Sequence, residues 1–139
     1  MIVKTVWNEH MEFDSELNGH HMIIDANEEV GGHDKGPRPK GLLLTALTGC
    51  TGMDVVSILK KMKVQNYKFW MEADADQTKE HPKHYSKIYL NYFFEGQDLP
   101  LEKIKKAVKL SEESYCGVSF MLKKAAEFET KIFINGEEV

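Results

Sequence analysis

Hydrophobic and polar residues alternate over the first 25 positions of the chain in the way that is typical of short β-strands. Residues 2–7 are mostly β-branched or aromatic, and residues 11–17 place Met, Phe, Ser and Leu on one side and acidic residues on the other. Asn18-Gly19 follows directly and is a strong signal for a hairpin turn. With a returning strand at 22–25, the pattern predicts a small antiparallel meander whose second strand is half-buried.

A helical period begins after the glycine- and proline-rich loop at residues 31–39. Apolar residues cover most of the circumference from Pro39 to about residue 63, which predicts a long helix buried between other elements. Gly49 and Gly52 each cost such a helix about 1 kcal/mol relative to alanine, so we expect another element to approach closely there. One stripe at helical spacing contains Leu43, Ala46, Leu47, Cys50, Met53, Asp54 and Ser57.

The alternation typical of strands and the helical period both recur in the second half of the chain. The pattern predicts a strand at 64–74, a loop at 76–82, a strand at 84–95, a helix after Pro100, a helix from about Cys116 to Ala126, and a strand at 131–134. The resulting order, βββ-α-ββ-αα-β, predicts an α+β fold. A chain of 139 residues with 42% hydrophobic residues is expected to form one domain, residues 1–139.

Composition narrows the functional classes. The net charge of −4 argues against nucleic acid or an anionic membrane as a partner. Lys4 is followed by no long apolar core, so the N-terminus does not resemble a signal peptide. We also expect no membrane-spanning segment, because no stretch of about 18 residues is both apolar and uncharged. These features predict a cytoplasmic protein, where a transient disulfide is more typical than a structural one.

The chain has two cysteines, Cys50 in the long helix and Cys116 at the predicted start of a later helix. A lone cysteine on an apolar helix is most often a small core residue, but two in such contexts suggest paired redox chemistry. Cys50 lies about three turns into its helix, beyond the reach of the N-terminal dipole, and Asp54 one turn later disfavours a thiolate. A reactive Cys50 therefore needs a cation from elsewhere in the fold or from a second chain. The candidates are Arg38, which is the only arginine, and Lys40, His20, His21 and His33.

By local rules alone, Cys116 is the better nucleophile. A helix N-terminus offers unpaired N–H groups and a favourable dipole to a thiolate. A purely structural role for Cys116, in packing at the start of the helix, is an equally simple interpretation. His81 and His84 have the spacing of a weak metal pair, but structural zinc requires four suitable ligands, so we expect no metal site and no cofactor.

Two segments resemble the OsmC/Ohr family (osmotically inducible protein C and organic hydroperoxide resistance proteins). They are residues 42–62, with Leu-Thr-Gly-Cys-Thr-Gly-Met-Asp at their centre, and residues 115–126, which begin Tyr-Cys-Gly-Val-Ser-Phe. The resemblance implies an intertwined homodimer in which antiparallel sheets surround the buried cysteine helices. It implies a thiol peroxidase for organic hydroperoxides that is regenerated by an external dithiol. In this scheme Cys50 attacks the hydroperoxide, although the local rules favour Cys116 as the nucleophile. Cys116 is then the resolving cysteine, which forms an intramolecular disulfide with Cys50.

The chain departs from the family pattern at two positions. Its N-terminal region contains no arginine, and Lys40-Gly41 occupy the place where a glutamate is expected, so Arg38 is left as the charge partner of Cys50. These departures keep a second hypothesis open, a non-catalytic thiol redox sensor or small-molecule-binding dimer. An acyl-binding or thioesterase-like domain is a third, but the sequence supplies no convincing carboxylate base for it.

Overall fold

The computed structural model describes residues 1–139, which form two compact units, 1–43 and 44–139. The first unit is a three-stranded antiparallel sheet in the order β1-β2-β3. Its strands are β1 (Val3–Glu9), β2 (Glu12–Leu17) and β3 (His20–Ile24). Asn18 and Gly19 have φ angles of 53° and 78°, as the central residues of a type I′ turn require. The predicted meander and its hairpin are therefore confirmed.

The loop after β3 is organised by Asp25, whose side chain is almost completely buried. Its carboxylate accepts hydrogen bonds from the backbone N–H groups of Ala26 at 2.7 Å, Lys35 at 3.1 Å and His33 at 3.2 Å. Burial acts to raise the pKa of this carboxyl, but the three N–H donors outweigh it and hold the pKa below its ordinary value. A buried carboxylate thus fixes the conformation of residues 26–35.

The apolar face of β2 is not covered within a single chain. Of the residues expected on its inner side, Ser15 is buried, whereas Phe13 and Leu17 are 37% and 38% exposed. Every residue of β1 is exposed as well, including Trp7 at 62%. The prediction of a half-buried strand therefore does not hold for one chain taken alone.

The long helix is found as α1 (Gly41–Lys61). Its buried residues are Leu47, Thr51, Val55 and Leu59, which recur every four positions. The predicted stripe was partly wrong, because Met53 is 77% exposed on the other side of the helix. Apolar residues occur around nearly the whole circumference, so periodicity could not select the face that packs. Close approach is confirmed at Gly52, since a Cβ there would lie 3.4 Å from the Met71 sulfur, but not at Gly49, where a Cβ would meet nothing within 4 Å.

By length and composition, α1 is apolar enough to cross a membrane. The helix is not free of charge, because Asp54 lies between Gly41 and Leu59, and the expectation of no membrane-spanning segment stays a prediction. The length and composition of α1 are weak evidence for a membrane span, since central helices of soluble proteins meet the same criterion. In this chain the Asp54 carboxylate is hydrogen-bonded to Ser111 within the second unit.

The second unit contains a four-stranded sheet in the order β4-β5-β6-β7. The strands are β4 (Lys68–Gln77), β5 (Tyr85–Glu95), β6 (Glu127–Ile134) and β7 (Glu137–Glu138). Between β5 and β6 lie α2 (Leu101–Leu110), a π-helical turn (Ser111–Tyr115) and α3 (Gly117–Lys123). This long connection allows β5 and β6 to pair in parallel, whereas the other pairings are antiparallel.

The α+β class and the order of the main elements agree with the sequence analysis. The predicted inner face of β5 is buried and forms the centre of the core: Ile88, Leu90, Tyr92 and Phe94. The sheet is not purely antiparallel, and α3 ends at Lys123 because β6 begins at Glu127, four residues earlier than expected. Neither the π-helical turn nor β7 was predicted.

Candidate functional site: two thiols and a carboxylate

The site begins with Cys50, which α1 holds at the border of its buried face. Next to it, Thr51 is fully buried and donates a hydrogen bond to the Leu47 carbonyl oxygen at 2.7 Å. Cys50 itself is half-buried and has a free thiol. Asp54 follows one turn later and is also half-buried. The helix therefore places a thiol and a carboxylate side by side, both within reach of solvent.

Cys116 enters the site from the π-helical turn. Its backbone N–H donates to the Ser111 carbonyl oxygen at 2.7 Å, a bond to the fifth residue back that is characteristic of π geometry. Cys116 then caps α3, because its Sγ accepts a hydrogen bond from the Ser119 N–H at 3.3 Å. Its side chain is nearly completely buried and its thiol is free.

The fold brings these groups together. The sulfurs of Cys50 and Cys116 and a carboxylate oxygen of Asp54 all lie within 4.8 Å of one another. Ser111 connects the two segments, because its Oγ lies 3.1 Å from Asp54 Oδ2 and 3.3 Å from the Thr51 carbonyl oxygen. A carboxylate and two thiols therefore share one cluster, which we call the cysteine cluster.

The environment of Cys116 opposes its ionisation. Burial raises the pKa of its thiol to about 11, and the neighbouring Cys50 side chain acts in the same direction. The Ser119 N–H lowers the pKa but does not compensate. Cys116 lies at the N-terminus of α3, as predicted. Its thiol nevertheless stays protonated at neutral pH, because burial raises its pKa by more than the helix end lowers it.

Next to the cluster, a partly buried polar network extends from Tyr92 to the surface, and the sequence analysis missed it. The Tyr92 hydroxyl donates to Glu112 Oε1 at 2.9 Å, and the Thr130 hydroxyl donates to the same carboxylate at 2.9 Å. The Lys123 ammonium lies 3.7 Å from Glu112 Oε2. Burial and the Glu112 carboxylate raise the pKa of Tyr92 far above its ordinary value, so its hydroxyl remains a donor. The sequence signal for this network was Tyr92 on the inner face of a predicted strand, because a buried hydroxyl needs a hydrogen-bond partner.

The other predicted groups are described within their own units. The Arg38 guanidinium pairs with Asp34 at 2.7 Å and donates to the Gly36 carbonyl oxygen at 2.8 Å. His21 contacts the Asp14 carboxylate at 3.0 Å. The assignment of Arg38 as the charge partner of Cys50 therefore stays a prediction.

The predicted weak metal pair stands apart from the cysteine cluster. His84 Nδ1 lies 2.8 Å from the Pro82 carbonyl oxygen, in the loop between β4 and β5. Among the 139 residues, the cysteine cluster is the one group of three or more His, Cys, Asp or Glu side chains close enough to share an ion. Neither His81 nor His84 belongs to it.

Comparison with known proteins agrees with this architecture. Protein YhfA of Escherichia coli K12 is 34% identical to this chain over 126 residues, which cover 90% of the chain and 91% of YhfA. A hypothetical protein from Aquifex aeolicus VF5 has a similar structure, with a TM-score of 0.84 and 28% identity over 99% of this chain and 97% of that chain. OhrB of Bacillus subtilis, an organic hydroperoxide resistance protein, shares the fold with a TM-score of 0.64 and 15% identity over 95% of this chain and 98% of that chain. The sequence profile of the OsmC-like proteins matches residues 32–131, and the chain therefore belongs to the OsmC-like protein family.

Proposed function

We propose that this protein is a two-cysteine peroxidase that reduces organic hydroperoxides to alcohols. The observation that carries the proposal is the approach of the Cys50 and Cys116 sulfurs to within 4.8 Å, although the two residues come from distant segments. Membership of a family that includes organic hydroperoxide resistance proteins supports it.

The reaction needs only the two thiols and an external reductant. The Cys50 thiolate attacks the distal oxygen of the hydroperoxide, and the O–O bond breaks. Cys50 becomes a sulfenic acid, and the departing alkoxide takes up one proton to become the alcohol. The Cys116 sulfur then attacks the sulfenic sulfur, which forms the disulfide and releases water. An external dithiol reduces the disulfide to two thiols and is itself oxidised.

The surroundings of the two thiols support this division of roles. Cys50 is half-buried, so a substrate can reach it, whereas Cys116 is buried and protonated at neutral pH. A protonated, enclosed thiol suits a group that reacts second, with a partner already beside it. We assign Arg38 as the cation that supports the Cys50 thiolate, since a guanidinium keeps its charge at any working pH. Arg38→Ala is then expected to slow alkylation of Cys50 at neutral pH.

A groove beside the cluster suits the organic part of the substrate. It has a volume of about 490 Å³ and includes Asp54 of the cysteine cluster in its wall. The rest of the wall combines the apolar side chains of Ile58, Met62, Leu110 and Tyr115 with the polar side chains of Ser57 and Lys61. An apolar tail gains about 25 cal/mol for each Å² that it buries, and hydrogen peroxide has no such tail. The protein is therefore expected to prefer organic hydroperoxides.

We further propose that the functional form is a homodimer. Met53 is 77% exposed, and Leu43 and Val56 of the same helix are 46% and 45% exposed. In the first unit, Trp7 and Val6 of β1 are also exposed. So much exposed apolar surface is unusual for a monomer and typical of an interface. Sedimentation of a stable, folded monomer at micromolar concentration would contradict this proposal.

Peroxidase activity is tested with three proteins: the parent, Cys50→Ser and Cys116→Ser. Consumption of cumene hydroperoxide and hydrogen peroxide is followed with a dihydrolipoyl donor. The parent is expected to turn over and to prefer cumene hydroperoxide, whereas Cys50→Ser is inactive. Cys116→Ser reacts once and accumulates a sulfenic acid that can be trapped. In the parent, one equivalent of hydroperoxide removes the mass of two hydrogens as the disulfide forms. Absence of that mass change would refute the scheme.

A redox sensor is the second candidate, and one observation favours it. Arg38, the only arginine, is already paired with Asp34 in the first unit, and a committed guanidinium gives less help to a thiolate elsewhere. A sensor would form the Cys50–Cys116 disulfide but would not turn over with a dithiol donor. The same assay separates the two functions, because only the peroxidase consumes hydroperoxide beyond one equivalent.

A further inference from the structure

The cysteine cluster also has the composition and spacing of a metal site. Its donors are two cysteine sulfurs and one carboxylate oxygen, all within 4.8 Å of one another. Tetrahedral zinc with Zn–S bonds near 2.3 Å places two sulfurs about 3.8 Å apart. The groups therefore need to approach one another by about 1 Å or less to bind a single ion, a shift that side-chain rotation can supply.

We propose that the reduced cysteine cluster binds one Zn²⁺ ion through Cys50 Sγ, Cys116 Sγ and the Asp54 carboxylate. Three protein ligands leave the fourth tetrahedral position to a water molecule, an arrangement known from open zinc sites. On binding, both thiols release their protons to solvent, and no electron is transferred. The two thiolates and the carboxylate contribute three negative charges against the two positive charges of the ion.

Groups around the cluster already orient two of the three ligands. The Ser111 hydroxyl lies 3.1 Å from Asp54 Oδ2, which leaves Oδ1 for the metal. The Ser119 N–H donates to Cys116 Sγ at 3.3 Å, and such a bond stabilises a bound thiolate. Outer groups of this kind are a regular feature of metal sites.

The site would make zinc binding and thiol oxidation mutually exclusive. The Cys50 and Cys116 sulfurs that hold the ion are the same atoms that join in a disulfide, so an oxidised cluster has lost two of its three ligands. Zinc therefore protects the reduced cluster, and oxidation releases the metal. This inference concerns the reduced cluster itself and does not depend on turnover with hydroperoxides.

Metal binding is tested on the fully reduced parent protein, without oxygen or hydroperoxide. Cobalt replaces zinc as a visible probe, because thiolate ligands give Co²⁺ an intense charge-transfer absorption, and zinc affinity is then measured by competition with a chromophoric chelator. One metal per chain is expected. Cys50→Ser and Cys116→Ser should each lose the thiolate absorption or reduce it by about half. Asp54→Asn and Ser111→Ala should weaken zinc binding by about 10-fold or more.

His81→Ala is the matched control, since it removes an imidazole outside the cluster and is expected to leave affinity unchanged. Circular dichroism of each variant checks that the fold is intact. The proposal is overturned if the parent gives no thiolate absorption with cobalt, if Cys50→Ser binds zinc as tightly as the parent, or if His81→Ala abolishes binding. A parent that binds zinc but does not turn over would refute the peroxidase alone, and an active peroxidase that binds no zinc would refute this proposal alone.

Discussion

The hydrogen bond from Tyr92 to Glu112 is expected to stabilise the turn that carries Cys116. Tyr92 is fully buried on the inner face of β5, and its hydroxyl lies 2.9 Å from Glu112 Oε1. Glu112 belongs to the π-helical turn, four residues before Cys116. Tyr92→Phe removes one oxygen atom and leaves the ring in the core, so it isolates the contribution of this hydrogen bond.

The size of the effect follows from the surroundings of the carboxylate. A hydrogen bond to a charged group contributes about 1.5–3 kcal/mol. Thr130 at 2.9 Å and Lys123 at 3.7 Å still contact Glu112 in the variant, so its charge is not left unpaired. We therefore expect a loss near the lower limit, about 1.5–2 kcal/mol in the free energy of unfolding. For a chain of this length, that corresponds to a fall in Tm of roughly 5–8 °C.

Urea unfolding of the reduced protein measures this loss, at one fixed protein concentration because association would shift the midpoint. Tyr89→Phe is the matched control. Tyr89 lies on the opposite face of the same strand, where its hydroxyl donates to Asp76 at 2.8 Å in an exposed setting. Its loss is expected to change stability by less than about 0.5 kcal/mol.

A second measurement connects the network to the thiols. Without its anchor the π-helical turn is freer to move, so Tyr92→Phe should form the Cys50–Cys116 disulfide more slowly than Tyr89→Phe after the same dose of oxidant. Equal urea midpoints for the two variants would refute the energetic argument. Equal oxidation rates despite a lower stability would show that the network does not position Cys116.

Three other substitutions test separate parts of the structure. Leu59→Ala should lower the free energy of unfolding by about 2–5 kcal/mol in urea, because Leu59 is fully buried in the core. Met53→Glu should give folded monomers in analytical ultracentrifugation, because it places a charge on an exposed apolar helix face; an unchanged dimer would exclude that face from the interface. Asp25→Asn should lower Tm at neutral pH. The fold holds the Asp25 pKa below its ordinary value, so the stability from this carboxylate is present above the unfolded pKa and is lost as pH falls through the lowered value. The two proteins should therefore converge in acid, and a constant difference in Tm would contradict this reasoning.

Local patterns were sufficient where a single physical rule acted without competition. The turn at Asn18-Gly19 needed only the tolerance of these residues for positive φ, and both have it. The inner face of β5 followed from strict alternation, because a strand exposes alternate residues to the core. Hydrophobicity also identified α1, and the phrases around Cys50 and Cys116 carried the family resemblance.

Local patterns failed where several packing solutions had similar energies. The buried face of α1 could not be chosen from sequence, since apolar residues occur on nearly all sides and only the sheet selects Val55 over Met53. The local argument for Cys116 as a thiolate was also incomplete, because it counted the helix end but not the burial that raises the pKa of Cys116 to about 11. Both results depend on which elements pack against each segment.

The sequence by itself thus determined the α+β class and the main elements, and it singled out the two cysteines that the fold brings together. Only the tertiary structure decided that Cys50, Asp54 and Cys116 share one cluster, with their donor atoms within 4.8 Å of one another. It also decided that Ser111 and Glu112 support the turn before Cys116. The physical reason is that elements and their faces follow from local spacing, whereas the distance between residues far apart in the chain is set by how those faces pack.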